Sequence, residues 1–383
     1  MGDCIHIMQV IGDPVGGIRK HVHSIIKGLS PTGFIQSYAY STTKTDACFR
    51  DEIEEIRRHL AGEVPLTVGK KPSIRDIINL VSLIKYVKQN KVDIIHGHGA
   101  KGGLYARLVS RLCRIKSVYT PHGGSTHKMF SALEDRLYSA VERWLFSMTD
   151  YFLFESRYTA DAYHEKVGEI SDRWTVNHNG IDPVDIDEVG AKSRFLGYIP
   201  NHTEYRIGVF GLLRREKGQI YAIQAVQELI KKGRDVRLHI YGDGPDRVVL
   251  ERFTRRSLLQ DSVLFHGEVT EAEPHMFAMD LVIIPSLFES FGYVALEAMA
   301  LRKPVVASNV GGLREIIIDK HTGILSMPGD YAALANAIMT YIDNPEKMVK
   351  DASAGYQRYA ELFTSGRMIN TLQATYHALY NNG

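Results

Sequence analysis

Short apolar runs alternate with longer amphipathic stretches along most of the chain. In the first half, runs at 4–11, 36–41, 64–68, 93–96, 117–120, 151–154 and 174–178 have the length and continuity of buried strands. Between them, apolar residues at three- and four-residue steps predict helices over 17–29, 47–60, 73–90, 101–113, 131–148 and 157–167. Segment 73–90 shows the rule, with Ile74, Ile77, Ile78, Val81, Leu83, Ile84 and Val87 on the steps and Ser73 placed to cap them. From Asn179 to Tyr205 the pattern breaks into polar, turn-rich sequence with Gly180, Pro183, Gly190, Gly197 and Pro200, which predicts a linker. A second alternation follows, with strands at 206–210, 236–241, 263–266, 281–284, 304–307 and 323–326. Its helices fall over 218–231, 246–258, 292–301, 331–343 and 346–360, and a last one over 365–380. Continuous apolar strands joined by helices need a mostly parallel sheet covered on both faces. The expected fold is α/β, with two doubly wound domains, 1–200 and 201–364, and a cleft between them.

Composition narrows the function classes. With 44% hydrophobic and 23% charged residues among 383, global disorder is excluded. No apolar run approaches the roughly 18 residues of a spanning helix. A net charge of +2, from 46 Lys and Arg against 44 Asp and Glu, does not announce a nucleic-acid binder. Cys4, Cys48 and Cys113 are few and scattered, which argues against a disulfide framework or a zinc site. The first residues run into a strand without a basic leader, so a soluble cytoplasmic protein is expected. Cations outnumber acids over residues 1–130, and acids outnumber cations over 131–200. The basic first segment suits an anionic substrate or membrane surface; solvated helix faces would read the same way.

In doubly wound sheets ligands sit beyond the carboxyl ends of the strands, so the loops there carry the candidates. After the first strand comes Gly12-Asp13-Pro14-Val15-Gly16-Gly17, then a helix with His21. Glycines admit close approach of a ligand, and a helix N-terminus favours an anion. The G-x-G-x-x-G spacing is absent here, and Arg247 takes its third glycine position after Gly242-Asp243-Gly244, which disfavours a nicotinamide dehydrogenase. His96-Gly97-His98 and Pro121-His122-Gly123-Gly124 end two further strands. Without a nearby carboxylate or cysteine in sequence they read as polar cleft lining rather than metal ligands, and His96 also as a core histidine. Gly211-Leu212-Leu213-Arg214-Arg215-Glu216-Lys217-Gly218 clusters cations between a strand and a helix, as a diphosphate site requires. The strongest constellation runs from Pro285 to Ala298, with Glu289 on a loop and Glu297 in the following helix. Those positions suit contacts to a sugar's hydroxyls and to a ribose diol, and a purely structural loop carboxylate is costly. Asp185-Ile186-Asp187 is discounted as a metal motif because it lies in the linker.

These residues add up to a family pattern. The chain resembles glycosyltransferase family 4, the retaining nucleotide-sugar transferases of GT-B fold, over essentially its whole length. The E-x7-E element matches Glu289 and Glu297 within P-S-x-x-E-S-F-G-x-x-x-L-E-A-M-A. Supporting matches are Gly16-Gly17 with His21, Thr120-Pro121-His122-Gly123, Asn179-Gly180-Ile181-Asp182, Lys217-Gly218, Gly242-Asp243-Gly244-Pro245, Gly311-Gly312 with Glu315, and Thr322-Gly323. One departure is Leu212, where the family's diphosphate loop commonly has arginine; Arg214 or Arg215 could supply the cation.

The resemblance implies two Rossmann-like domains facing across a cleft, with a last helix, 365–383, crossing back to the first. It implies transfer of a hexose-type sugar from a UDP- or GDP-linked donor to a hydroxyl of a glycan or lipid-linked acceptor, without metal or cofactor. His122, Glu289, Lys217 and Arg214 would act at the reacting centre. Gly16, Gly17, Gly211, Arg215, Gly242, Ser290, Phe291, Gly292 and Glu297 would hold the donor, and His21, His96, His98 and Lys101 the acceptor. Bacterial cell-surface glycan synthesis is the commonest setting. A sugar-nucleotide epimerase or phosphorylase of the same fold, or a non-catalytic binding module, are the competing readings. Helix 101–113 and its exit carry Lys101, Arg107, Arg111, Arg114 and Lys116 among Leu104, Leu108, Val109 and Leu112, which reads either as a face toward an anionic membrane at the inner side of the cell or as an apolar stripe packed on its own sheet with only the basic residues exposed.

Overall fold

The computed structural model describes residues 4–43, 45–69, 71–123, 132–198 and 204–382, and of 132–135 the backbone alone. Gly124, Ser131 at the expected start of helix 131–148, Pro200 and the rest of 199–203, and Gly383 lie outside the described residues. The chain divides into two compact units, Met1–Gly180 with Ser365–Gly383, and Ile181–Thr364.

Unit 1 is built on seven parallel strands: β1 His6–Ile11, β2 Ile35–Ser41, β3 Gly62–Leu66, β4 Ile94–His98, β5 Lys116–Thr120, β6 Tyr151–Phe154 and β7 Trp174–Val176. Their order is β3-β2-β1-β4-β5-β6-β7. The order reverses between β1 and β4, the switch point at which doubly wound sheets take ligands. Alternate residues of β1 and β4 separate two cores. Met8, Val10 and Ile95 pack with Leu83, Val87 and Val109, whereas Ile7 and Ile94 pack with Ile25, Met368, Leu372 and Tyr376. Helix Ser365–Asn381 therefore covers the same face as helix Gly16–Leu29, with Ile369 lying directly against Gly28.

Unit 2 repeats the plan with β8 Tyr205–Phe210, β9 Val236–Tyr241, β10 Val263–Gly267, β11 Leu281–Ile284, β12 Val305–Ser308 and β13 Ile324–Ser326. The order is β10-β9-β8-β11-β12-β13, all parallel, with the switch point between β8 and β11. The boundary expected near residue 200 falls at Gly180. Residues 186–195 form a helix, Ile186–Phe195, whose Val189 belongs to a core cluster of unit 2 with Met276 and Phe291. The helix buries little besides Val189, Gly190 and Ser193, so its apolar periodicity is too faint to read from sequence. The discounted Asp185-Ile186-Asp187 is its cap: the Asp185 carboxylate accepts from the Asp187 and Glu188 backbone N–H groups.

Helix Gly99–Cys113 corrects the expected membrane face. Tyr105, Arg107 and Val109 are buried, Leu104 and Leu108 are half-buried, and only Leu112 of the apolar set is exposed. Arg107 is fully enclosed. Its Nη1 and Nη2 donate to Glu142 Oε2 and Oε1 at 2.7 and 3.2 Å, and the guanidinium lies 3.9 Å over the Tyr119 ring. The Tyr119 and Tyr163 hydroxyls also donate to the Glu142 carboxylate. Because removing one partner leaves an uncompensated buried charge, Arg107→Met is expected to destabilise the protein by about 3–5 kcal/mol in urea titrations. A loss under about 1 kcal/mol would mean the carboxylate finds other compensation. No described helix is long and apolar enough to cross a membrane.

Candidate active site

In unit 1 the switch point is lined by a strip of buried polar side chains. Strand pairing sets Gln9 opposite His96 and Ile11 opposite His98, and alternation puts Gln9, His96 and His98 on one face. Burying such groups is unfavourable unless each is bonded, and nearly all are. His96 is fully buried and bonds both ways, Nδ1 with the Tyr376 hydroxyl at 2.7 Å and Nε2 with Thr120 Oγ1 at 2.9 Å. Its place is thus a support beneath His98, ring centroids 4.0 Å apart, rather than a ligand contact of its own.

The direction of the remaining bonds is set by a backbone carbonyl. Ile35 O can only accept, so Gln36 Nε2 donates to it at 3.3 Å and Gln36 Oε1 accepts from Gln9 Nε2 at 3.2 Å. Gln9 Oε1 then accepts from His98 Nε2–H at 2.9 Å. Burial, reinforced by His96, His122 and His21, holds His98 well below the usual histidine range, so it is neutral and its Nδ1 carries a lone pair. That lone pair accepts from His122 Nε2–H at 3.2 Å. His122 Nδ1 is hydrogen-bonded to Glu155 Oε2 at 2.6 Å.

His21 completes the group, edge-on to His122 and His98 with centroids 4.9 and 5.5 Å away. Burial, then His122 and His96, keep it well below its usual range; Asn179 lies near enough to oppose this, yet His21 Nδ1 makes no hydrogen bond. Ring nitrogens of His21, His98 and His122 lie within 4.8 Å of one another. Among the described residues these three form the group able to hold a metal ion, since tetrahedral bonds of about 2.0–2.1 Å place ligand nitrogens about 3.4 Å apart. The His98–His122 contact is the one in which His122 Nε2–H donates to His98 Nδ1. Gly16 N–H is already donated to Asp46 Oδ2, Gly17 is exposed, and Lys101 Nζ is paired with Asp76 at 2.8 Å.

In unit 2 the loops after β8, β11 and β12 are stitched together. Leu287 and Phe288 N–H donate to Glu216 O at 2.8 and 3.3 Å, and Gly312 N–H donates to Glu289 O at 3.0 Å. Gly218, at φ 68°, has no room for a side chain: a Cβ would sit 2.1 Å from Pro285 O. Gly242 is as tightly placed, at φ 131° with its missing Cβ 2.0 Å from Gly211 O. The result brings Lys217 Nζ to 2.7 Å from Glu289 Oε2, with Ser286 Oγ at 3.4 Å from the same oxygen. Arg214 and Arg215 are exposed on this loop, Arg214 Nη1 lying 3.9 Å from Glu216 Oε1. Ser290 is half-buried and Phe291 buried, Gly292 precedes helix Tyr293–Ala300, and Glu297 is buried in that helix.

Family comparison agrees with this geometry. A model described as Glycosyltransferase Family 4 matches residues 15–185, and one described as Glycosyl transferases group 1 matches 197–358. The chain belongs to glycosyltransferase family 4. It is 35% identical over 159 residues to a 2-deoxystreptamine glucosyltransferase of Streptomyces kanamyceticus, a stretch covering 41% of each chain. It is 25% identical over 370 residues, 95% of each chain, to an uncharacterized glycosyltransferase of Methanocaldococcus jannaschii. Anabaena HepE, solved in complex with UDP-glucose, superposes with a TM-score of 0.82 at 22% identity, over 98% of this chain and all of that one. The fold of this family 4 chain is GT-B.

Two residues of the site escape a reading by motif. Gln9 is the one side-chain amide inside the apolar run His6–Ile11, and Glu155 is an acid directly after the apolar run Tyr151–Phe154. A lone polar residue in or directly after a buried strand was the available signal for both.

Proposed function

We propose that this protein transfers a hexose-type sugar, with retention of anomeric configuration, from a UDP- or GDP-linked donor to a hydroxyl of a glycan or lipid-linked acceptor in cell-surface glycan assembly. Unit 2 holds the donor and unit 1 the acceptor. The observation that carries this reading is the Lys217–Glu289 pair at the switch point of unit 2. An ammonium held beside a carboxylate, on loops fixed by backbone bonds, offers one group to a departing diphosphate and one to the sugar's hydroxyls. Such a site acts by positioning and by stabilising charge as it develops. Arg214 or Arg215 supplies the second cation, and Glu297 the ribose contact. In unit 1, His122 acts on the acceptor. The complex of HepE with UDP-glucose supports a uridine diphosphate donor.

Nucleoside diphosphate release from a panel of UDP- and GDP-sugars, measured with and without acceptor and in excess chelator, tests the proposal. Release that depends on acceptor and persists in chelator is expected, because Lys217 and an arginine take the place of a divalent ion. Isomerised or phosphorolysed sugar without acceptor would point to the competing activities. Complete loss in chelator, restored by manganese or magnesium, would overturn the metal-free mechanism.

A further inference from the structure

The three histidines at the switch point of unit 1 have the outer partners of a metal site as well as its spacing. A histidine that binds a metal through one ring nitrogen gives the other to a carboxylate, a carbonyl oxygen or water, which fixes the ring and its tautomer. His122 Nδ1 is held by Glu155 Oε2 at 2.6 Å, and His98 Nε2 by the amide oxygen of Gln9 at 2.9 Å. Those bonds leave one nitrogen of each ring turned toward the other, His98 Nδ1 and His122 Nε2, 3.2 Å apart. Two imidazoles on one tetrahedral ion, with bonds of about 2.0–2.1 Å, place their nitrogens about 3.4 Å apart. The pair is therefore already close to the separation that an ion imposes.

His21 is the third corner. One of its ring nitrogens lies within 4.8 Å of both inner nitrogens, and all three residues are buried. Here the hydrogen-bond network fails to close. His21 Nδ1 and Asn179 Oδ1 are both enclosed, and neither makes a hydrogen bond. Asn179 itself is buried, so water does not reach its amide freely. Unsatisfied buried polar atoms are rare in folded proteins, and an ion with its bound water is one of the things that satisfies them. Along the chain nothing announces the arrangement, because Glu155 lies 33 residues from His122 and Gln9 lies 89 from His98.

We propose that His21, His98 and His122 bind one transition-metal ion of the zinc class, and that the bound ion inhibits the acceptor side of unit 1. Three imidazole nitrogens suit Zn²⁺, Ni²⁺ or Cu²⁺, whereas Mg²⁺ and Mn²⁺ prefer oxygen ligands. Three protein ligands leave the fourth position to water, a donor of the kind that Asn179 Oδ1 lacks. On binding, the proton on His122 Nε2 is lost to solvent, and the nitrogen that carried it is taken up by the ion. Inhibition rests on the role proposed above for His122; binding does not. The ion is separate from the metal-free diphosphate chemistry assigned to Lys217.

The test uses Co²⁺ as the spectroscopic probe and Zn²⁺ as its competitor, on the full chain first stripped with chelator and dialysed. One Co²⁺ per chain is expected, with the visible absorption of a tetrahedral ion, bleached by one equivalent of Zn²⁺ and unmoved by excess Mg²⁺. His98→Ala should abolish the bands. Glu155→Gln and Gln9→Ala should weaken binding by about 10–100-fold while circular dichroism stays that of wild type. His266→Gln, which breaks the hydrogen-bonded His239–His266 pair of unit 2, should change neither stoichiometry nor affinity. In the transfer assay, Zn²⁺ should inhibit acceptor-dependent release over the range that bleaches Co²⁺, and chelator should restore the rate. Absence of tetrahedral bands, bands unchanged in both His98→Ala and Glu155→Gln, or bands lost in His266→Gln would overturn the site. Full transfer activity at saturating Zn²⁺ would overturn the inhibition. If no donor supports transfer, the proposed function fails, and the Co²⁺ bands still decide the site.

Discussion

Lys217→Ala is expected to lower kcat by about 10²–10³-fold and to raise the donor KM, whereas Glu289→Ala should lower kcat by a similar factor with little change in KM. The asymmetry follows from the 2.7 Å pair itself. Without Lys217 the Glu289 carboxylate stands uncompensated where a diphosphate must approach, so binding suffers as well as turnover. On the proposed roles, loss of Glu289 leaves the ammonium for the diphosphate and removes contact with the sugar in the transition state. Because the two groups act as one unit, Lys217→Ala with Glu289→Ala should be little worse than the poorer single variant. Steady-state kinetics of the four proteins at saturating donor checks this. Additive losses would separate the two roles, and wild-type turnover in Glu289→Ala would remove that residue from the mechanism. Arg214→Ala and Arg215→Ala, compared in the same assay, identify the cation that replaces the one missing at Leu212.

Glu155→Gln should reduce turnover by about 10²-fold without unfolding the protein. Glutamine keeps the size and hydrogen-bonding reach of the side chain and removes its charge. The bond chain from Ile35 O through Gln36, Gln9 and His98 directs His122 Nε2–H toward His98, so a proton on His122 Nδ1 would be held by the Glu155 carboxylate alone. Ring nitrogen-15 shifts at neutral pH should show a proton associated with both His122 nitrogens in wild type and with Nε2 only in the variant. Identical shifts in the two proteins would contradict the assigned direction of the chain.

The parallel strands were legible because they are buried on both faces and read as uninterrupted apolar runs. Lys217, Glu289 and Glu297 stood out because their spacing is local. Helix Ile186–Phe195 was hidden by having little but Val189 to bury, which also made its capping aspartate look like linker. Arg107 misled for the opposite reason. A cation at helical spacing looks solvent-facing, and only the fold shows that Glu142 and Tyr119 enclose it. The partners of the histidines were out of reach altogether. His96 bonds a tyrosine 280 residues away and His98 a glutamine 89 residues away, separations that no pattern along the chain encodes. Helix Ile74–Asn90 was legible from its period. That Leu83 and Val87 are buried while Ile74, Ile77, Ile78 and Val81 stay exposed was a matter of packing, not of period.

The central claim is transfer with retention at the Lys217–Glu289 site, and the anomeric configuration of the product tests it most directly. Proton NMR of the reaction with UDP-glucose or the best donor of the panel, in excess chelator, should show a product that keeps the donor's anomeric configuration. One nucleoside diphosphate should be released per product formed, and product should form about 10²–10³-fold more slowly with Glu289→Ala. A product of inverted configuration, or consumption of donor to free or isomerised sugar with no acceptor present, would contradict the account.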